Sequence, residues 1–216
     1  LKKLLGFPSY GATWIKTQSI REIVPALLLG RWDESYPGDR ELLEKLSGTS
    51  YAKYQEALAK WLYLPESPLK KIGETWRLTS PLDLWRSISS HLVDRDFQLL
   101  KESFIQAYHS GNPVLESQLD LPDYITKRKT YSDWVREGLA QSLILVSIPQ
   151  VRVRLKDPQS WVDRIIEGLL SNASGETWAS INRELPLIAE ASPHVFLNSV
   201  SLSLSHRPPE IMDMFK

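Results

Sequence analysis

The chain has 216 residues, enough for one large domain or two small ones and for a sizeable buried core. Lysine plus arginine and aspartate plus glutamate both number 26, so no net field draws the chain to nucleic acid, anionic lipid or an acidic substrate; such a partner would need a local patch. Cysteine is absent, which removes disulfides, zinc knuckles and thiol catalysis together and fits a cytoplasmic protein.

No apolar run approaches the ~20 residues that span a bilayer, and no charged-then-apolar leader is present, so no membrane role is expected. Eight tryptophans and eight tyrosines predict a core of large rings between packed helices. The chain begins at Leu1 and ends in PEIMDMFK, a helix-start pattern, and is expected to be a segment of a longer protein.

Residues 1–18 are expected to form a turn-rich connector. Gly6, Gly11 and Thr13 imitate the spacing of a phosphate-binding loop, but Ala12 stands where the phosphate-pairing lysine belongs, and no strand-like run precedes it. Ser19 and Glu22 have capping-box spacing, and Ile20, Ile23, Val24, Leu27 and Leu28 fall on one helical face. Pro25 interrupts this face, so the regular part is expected to begin near Pro25 and to end at Gly30. WDESYPGD then predicts a solvated loop; Asp33, Glu34 and Asp39 lack the alternating pattern and terminal glutamate of a calcium loop.

Asp39 can cap the helix DRELLEKL, which Gly48 closes in a left-handed conformation. Ser50 can cap the next, where Tyr54, Leu58, Trp61 and Leu62 form an apolar stripe. LKKIGETWRLTS offers two alternating runs around Gly73-Glu74, a hairpin. Three helices and a hairpin predict a winged-helix-like module over residues 19–82. The helix before such a wing can enter a DNA major groove. Charge argues for a structural module instead: between Thr17 and Leu82 nine basic residues face nine acidic ones, and the reading helix would offer only Lys53 and Lys60, offset by Glu56. Lys53, Lys60, Lys70 and Lys71 are the candidate contacts to DNA or to a protein partner.

From residue 83 to 216 the pattern predicts helices only, in an array of antiparallel pairs. Ser80-Pro81 opens a helix carrying Leu84, Trp85, Ile88 and Leu92. Asp94 or Asp96 opens another carrying Phe97, Leu100, Phe104 and Tyr108, closed by Gly111-Asn112-Pro113. Val114 to Lys129 lacks a period and predicts an ordered loop. Ser132 caps the most apolar helix, striped by Val135, Leu139, Leu143 and Val146 and widened by Ile144 and Leu145.

VRVRLK alternates at period two, exposing Arg152, Arg154 and Lys156. These can join Lys127, Arg128 and Lys129 in a basic patch, although solvated charge on separate loops is the simpler reading. Asp157-Pro158, Ser174 and Ser192-Pro193 then mark helices near 158–171, 175–190 and 193–205. Their stripes are Trp161-Ile165-Leu169, Trp178-Ile181-Leu185-Ile188 and Phe196-Val200-Leu204. Starts about 17 to 18 residues apart are repeat-like without matching a tetratricopeptide consensus.

His91, His109, His194 and His206 stand singly, without metal-ligand spacing. Asp94 and Asp96 flank a helix start, where capping explains them. Neither a nucleophile elbow nor a dinucleotide fingerprint is present, so no catalytic, cofactor-binding or metal residue is expected in this segment.

The succession GRWDESYPGDRELLEKLSG, SYAKYQEALAKWL and KIGETWRLTSPLDLWRSI, with YSDWVREGLAQSLILV and ELPLIAEASPHVFL further on, resembles the region after the nucleotide-binding core in large bacterial STAND-type NTPases, several of them antiphage sensors. The resemblance implies a winged helix followed by a helical sensor that binds a foreign protein, such as a phage protein, contacts neighbouring domains and supports homo-oligomerisation. It implies ATP and Mg2+ as cofactors of the parent protein, with none of the ATPase motifs in this chain. The alternative is a DNA-binding winged-helix regulator that uses Ser50 to Tyr63 as its reading helix.

Overall fold

The first helix is shaped by a proline that its sequence position should not tolerate. In the computed structural model, which describes residues 19–109 and 130–215, α1 (Ile20–Leu29) runs unbroken through Pro25. The predicted start near Pro25 is therefore too late. A proline at this depth has no N–H for the carbonyl four residues back and crowds it. Tyr54 relieves the disturbance: its hydroxyl accepts from the Ala26 N–H and donates to the Glu22 carbonyl, each at 3.0 Å. These are the two groups that an undisturbed helix pairs with each other, so the tyrosine is inserted into the ladder.

Gly30, at φ 75°, ends α1 and turns the chain into β1 (Arg31–Asp33). The loop expected here thus contains a strand. α2 (Pro37–Ser47) begins earlier than predicted, with Pro37 in its first turn and Tyr36 as its N-cap, so Asp39 lies inside the helix. Gly48 closes it in the left-handed region as expected. α3 (Tyr51–Leu62) follows Ser50, whose side chain makes no cap bond; Glu44 Oε1 instead accepts from the Tyr51 N–H at 2.7 Å.

The hairpin expected around Gly73-Glu74 is β2 (Leu69–Ile72) and β3 (Thr75–Leu78), turned by Gly73 at φ 58°. β1 joins β3 from the other side, giving an antiparallel sheet in the order β1-β3-β2. Trp32 and Trp76 are directly opposite and stack with ring centroids 5.4 Å apart.

The remaining elements are helical: α4 (Pro81–Ile88), α5 (Asp94–His109), α6 (Asp133–Ser147), α7 (Pro158–Leu170), α8 (Gly175–Ser180), α9 (Leu185–Ala191), α10 (Pro193–Ser205), with 3-10 turns at Ser89–His91 and Glu210–Phe215. The protein is thus mostly helical with one small sheet. The caps expected from Ser132, Asp157 and Ser174 form, accepting from the Val135, Ser160 and Thr177 N–H groups. The single helix expected over 175–190 is split into α8 and α9, because Pro186 cannot donate to the Asn182 carbonyl and crowds it. Residues 151–156 alternate, with Val151 buried and Arg152, Arg154 and Lys156 exposed, but pair with no strand.

The core is continuous from Ile23 in α1 to Ile211 near the C-terminal end of the described chain. α6 is its axis, with Val135, Leu139, Leu143 and Val146 fully buried. It crosses the α1–β1 corner at two glycines: a Cβ on Gly138 would collide with the Leu29 carbonyl oxygen and lie 2.8 Å from the Arg31 nitrogen. The expected connector over 1–18, the Gly6 to Thr13 spacing, the Gly111-Asn112-Pro113 stop, the 114–129 loop and Lys127, Arg128 and Lys129 lie outside the described residues.

Candidate functional site

Of the four candidate lysines, two are already committed. Lys60, on α3, pairs with Glu22 of α1. Lys71, on β2, donates to Glu34 Oε1 at 2.5 Å and sits 5.1 Å from the centre of the Trp76 ring. Lys53 and Lys70 are exposed and have no ion-pair partner among the described residues. The outward face of α3 therefore presents Ala52, Lys53, Glu56 and a neutralised Lys60.

Glu34 is a residue that sequence reasoning passed over as loop acid. Its side chain, 11% exposed, gathers four donors. Oε2 accepts from the Tyr51 hydroxyl at 2.7 Å, the Trp76 indole N–H at 2.7 Å and Gln55 Nε2 at 3.0 Å, while Oε1 takes Lys71. Burial alone would raise its pKa, but the bonds from Lys71, Tyr51 and Trp76 outweigh burial and bring it down to about 2. One carboxylate thus ties the hairpin to α3.

Asp39 is fully buried and joins distant parts of the chain. Oδ2 accepts from the Asp33 N–H at 2.9 Å and from the Ser132 hydroxyl at 2.5 Å, and Oδ1 accepts from the Ser132 N–H at 2.9 Å. Beside it the Gly38 N–H donates to the Thr130 carbonyl at 3.1 Å. Burial raises the Asp39 pKa to about 6 against the lowering effect of these donors.

A buried charge pair lies among α6, α8 and α9. Arg136 Nη2 is 3.4 Å from Glu184 Oε2 and donates to the Ser180 carbonyl at 2.9 Å. Its guanidinium lies 4.7 Å from the centre of the Tyr108 ring, and the Tyr108 hydroxyl donates to the Arg136 carbonyl at 2.9 Å.

α10 is the least covered of the longer helices. Ser203 is its only buried residue, and the expected Phe196-Val200-Leu204 stripe is half-covered at Phe196 and Val200 and open at Leu204. Leu197 is 62% exposed and Leu204 54%, two turns apart on one line, with Leu202 uncovered on another side. Met212 and Phe215, beyond the helix, are exposed as well. From Pro193 to Ser205 there is no lysine, arginine, aspartate or glutamate.

Among the described residues no three His, Asp or Glu side chains come together as metal ligands, and no helix is long and apolar enough to cross a membrane. Compared with known proteins, the chain matches no family model, no curated protein and no solved structure.

Proposed function

We propose that this chain is the non-catalytic segment following the nucleotide-binding core of a large bacterial STAND-type NTPase, where it binds a protein partner and couples that event to neighbouring domains in antiphage defence. In this reading residues 19–82 are the winged helix and residues 83–216 the helical, repeat-like sensor. The element order α1-β1-α2-α3-β2-β3 and the strand order β1-β3-β2 support the first part, with the β2–β3 hairpin as the wing. ATP and Mg2+ belong to the proposed parent, and no residue of this chain is assigned to them.

The observation that carries the proposal is the α10 surface. An apolar helix is normally covered over most of its circumference, whereas here leucines on two sides face solvent. A charged partner face would lose hydration against this uncharged helix without gaining a counter-ion, so the matching surface is an apolar, uncharged helix of a protein. The shared core and the Asp39–Ser132 contact give a physical route between the two parts. Protein rather than DNA is favoured because, of the four candidate lysines, Lys60 and Lys71 are already paired with Glu22 and Glu34, which leaves Lys53 as the one unpaired lysine on the reading helix among the described residues.

Two measurements test this. Reading the encoding gene upstream of the Leu1 codon should reveal a phosphate-binding loop and an acidic Walker strand in frame; their absence removes the STAND assignment. In the parent protein, L197E/L204E should abolish phage protection with an unchanged thermal melt. Full protection by that variant would eliminate α10 as the sensing surface.

A further inference from the structure

A groove of about 550 Å³ lies between the first half of α1, the α2–α3 corner and α3. This volume is in the range of ligand sites, ~300–1,000 Å³. Its apolar lining includes Val24, Pro25, Leu46 and Ala57, with Tyr54 beneath. Arg21, Glu22, Lys53 and Glu56 supply its charges.

These four charges are not equivalent. Arg21 holds Asp96 with two bonds, at 2.7 and 2.8 Å, and Glu22 is matched by Lys60. Lys53 and Glu56 have no ion-pair partner among the described residues, and they share one face of α3 three residues apart. The groove therefore offers one uncommitted cation and one uncommitted anion beside an apolar slot.

We infer that this groove binds a short peptide segment of a protein partner, carrying an aliphatic side chain flanked by one acidic and one basic residue. The aliphatic group occupies the slot over Val24, Leu46 and Ala57. The acid meets Lys53 and the base meets Glu56. An all-acidic peptide would set a carboxylate against Glu56, and an all-basic one would set an ammonium against Lys53. The inference rests on the reading of the chain as a protein-binding segment, but it concerns a different face from α10.

The test uses fluorescence anisotropy with labelled octapeptides centred on leucine and flanked by Glu and Lys, by Lys and Glu, by two Glu or by two Lys. One mixed-charge order should bind the 216-residue chain best. K53E should weaken that peptide on the order of tenfold, and the exposed double swap K53E/E56K should transfer the preference to the reversed order. A57W, with its fold checked by circular dichroism, should abolish binding of all four. No binding up to about 1 mM, equal binding of all four, or indifference to K53E would overturn the inference. Loss of phage protection in L197E/L204E alongside a negative groove result would dismiss the groove and leave the sensing role standing.

Discussion

Asp39 and Ser132, 93 residues apart, bond twice, side chain to hydroxyl at 2.5 Å and side chain to backbone N–H at 2.9 Å. The Ser132 hydroxyl in turn accepts from the Val135 N–H at 3.0 Å, so one serine both caps α6 and receives α2. A contact of this kind makes the stability of the fold depend on the ionisation of a single carboxyl.

The first prediction follows from that dependence. The Asp39 pKa is about 6 in the fold and near 3.8 in a free chain, so the folded state holds the proton more tightly between those values. This contribution is fully present below about pH 3.8 and is lost as pH rises through about 6, a change on the order of 3 kcal/mol. Urea unfolding across this range should show D39N lacking the downward arm present in the wild type. At pH 7 D39N should also be about 1–3 kcal/mol less stable, because an amide has one accepting oxygen where the two carboxylate oxygens serve the Asp33 N–H, the Ser132 hydroxyl and the Ser132 N–H.

Glu34 predicts the opposite arm. Its pKa is depressed to about 2, so its contribution is present above the ordinary value of 4.5 and is lost as pH falls through about 2. E34A leaves the Trp76 N–H and the Tyr51 hydroxyl without their acceptor and should cost on the order of 3 kcal/mol at pH 7. Chemical denaturation followed by tryptophan emission reads the effect, since Trp76 is both reporter and donor. An unchanged midpoint would mean that the hairpin does not depend on this carboxylate.

Two glycines give a paired prediction on packing. G138A sets a methyl group against the Leu29 carbonyl and the Arg31 nitrogen, backbone atoms that cannot step aside, and should cost about 1–3 kcal/mol or more. G168A, in α7 with nothing within 4 Å of the new carbon, should gain about 0.5–1 kcal/mol from helix propensity. Thermal melts of the two variants should therefore move in opposite directions.

What was legible in the sequence was local chemistry. Ser132, Asp157 and Ser174 announce their helices because a cap is satisfied within three residues, and Gly48 and Gly73 mark left-handed turns for the same short-range reason. β1 was missed because three residues carry no period and its partners, Thr75 to Arg77, lie over forty positions downstream. In the sequence Asp39 has the signature of a helix cap and Glu34 that of a loop acid, because Ser132, Trp76 and Lys71 are remote along the chain. Tyr54 was visible only as one member of an apolar stripe; its role at Pro25 requires α1 and α3 to meet. Charge marks the candidate lysines in the sequence, but the glutamates that neutralise two of them, Glu22 and Glu34, lie 38 and 37 positions away and meet them only in the fold.

The last prediction concerns Arg136 and Glu184, whose side chains are 7% and 1% exposed. Burial raises the Glu184 pKa, against the lowering effects of Arg136 and of its own backbone N–H, and among the described residues no other residue donates a well-formed hydrogen bond to the carboxylate. The pair is therefore held by charge opposition more than by directional bonds. R136A should cost about 3–5 kcal/mol at pH 7, because it strands a buried carboxylate. That loss should shrink in acid, where Glu184 takes up a proton and no longer needs a counter-ion. R136M/E184L replaces both charges with apolar groups and should lie within about 1 kcal/mol of the wild type, provided the Ser180 carbonyl, which loses the Arg136 donor, finds water. Equilibrium unfolding of both single variants and the double variant, at pH 4 and pH 7, measures the coupling. If R136A loses as much at pH 4 as at pH 7, its cost comes from the lost packing on the Tyr108 ring and not from the orphaned charge.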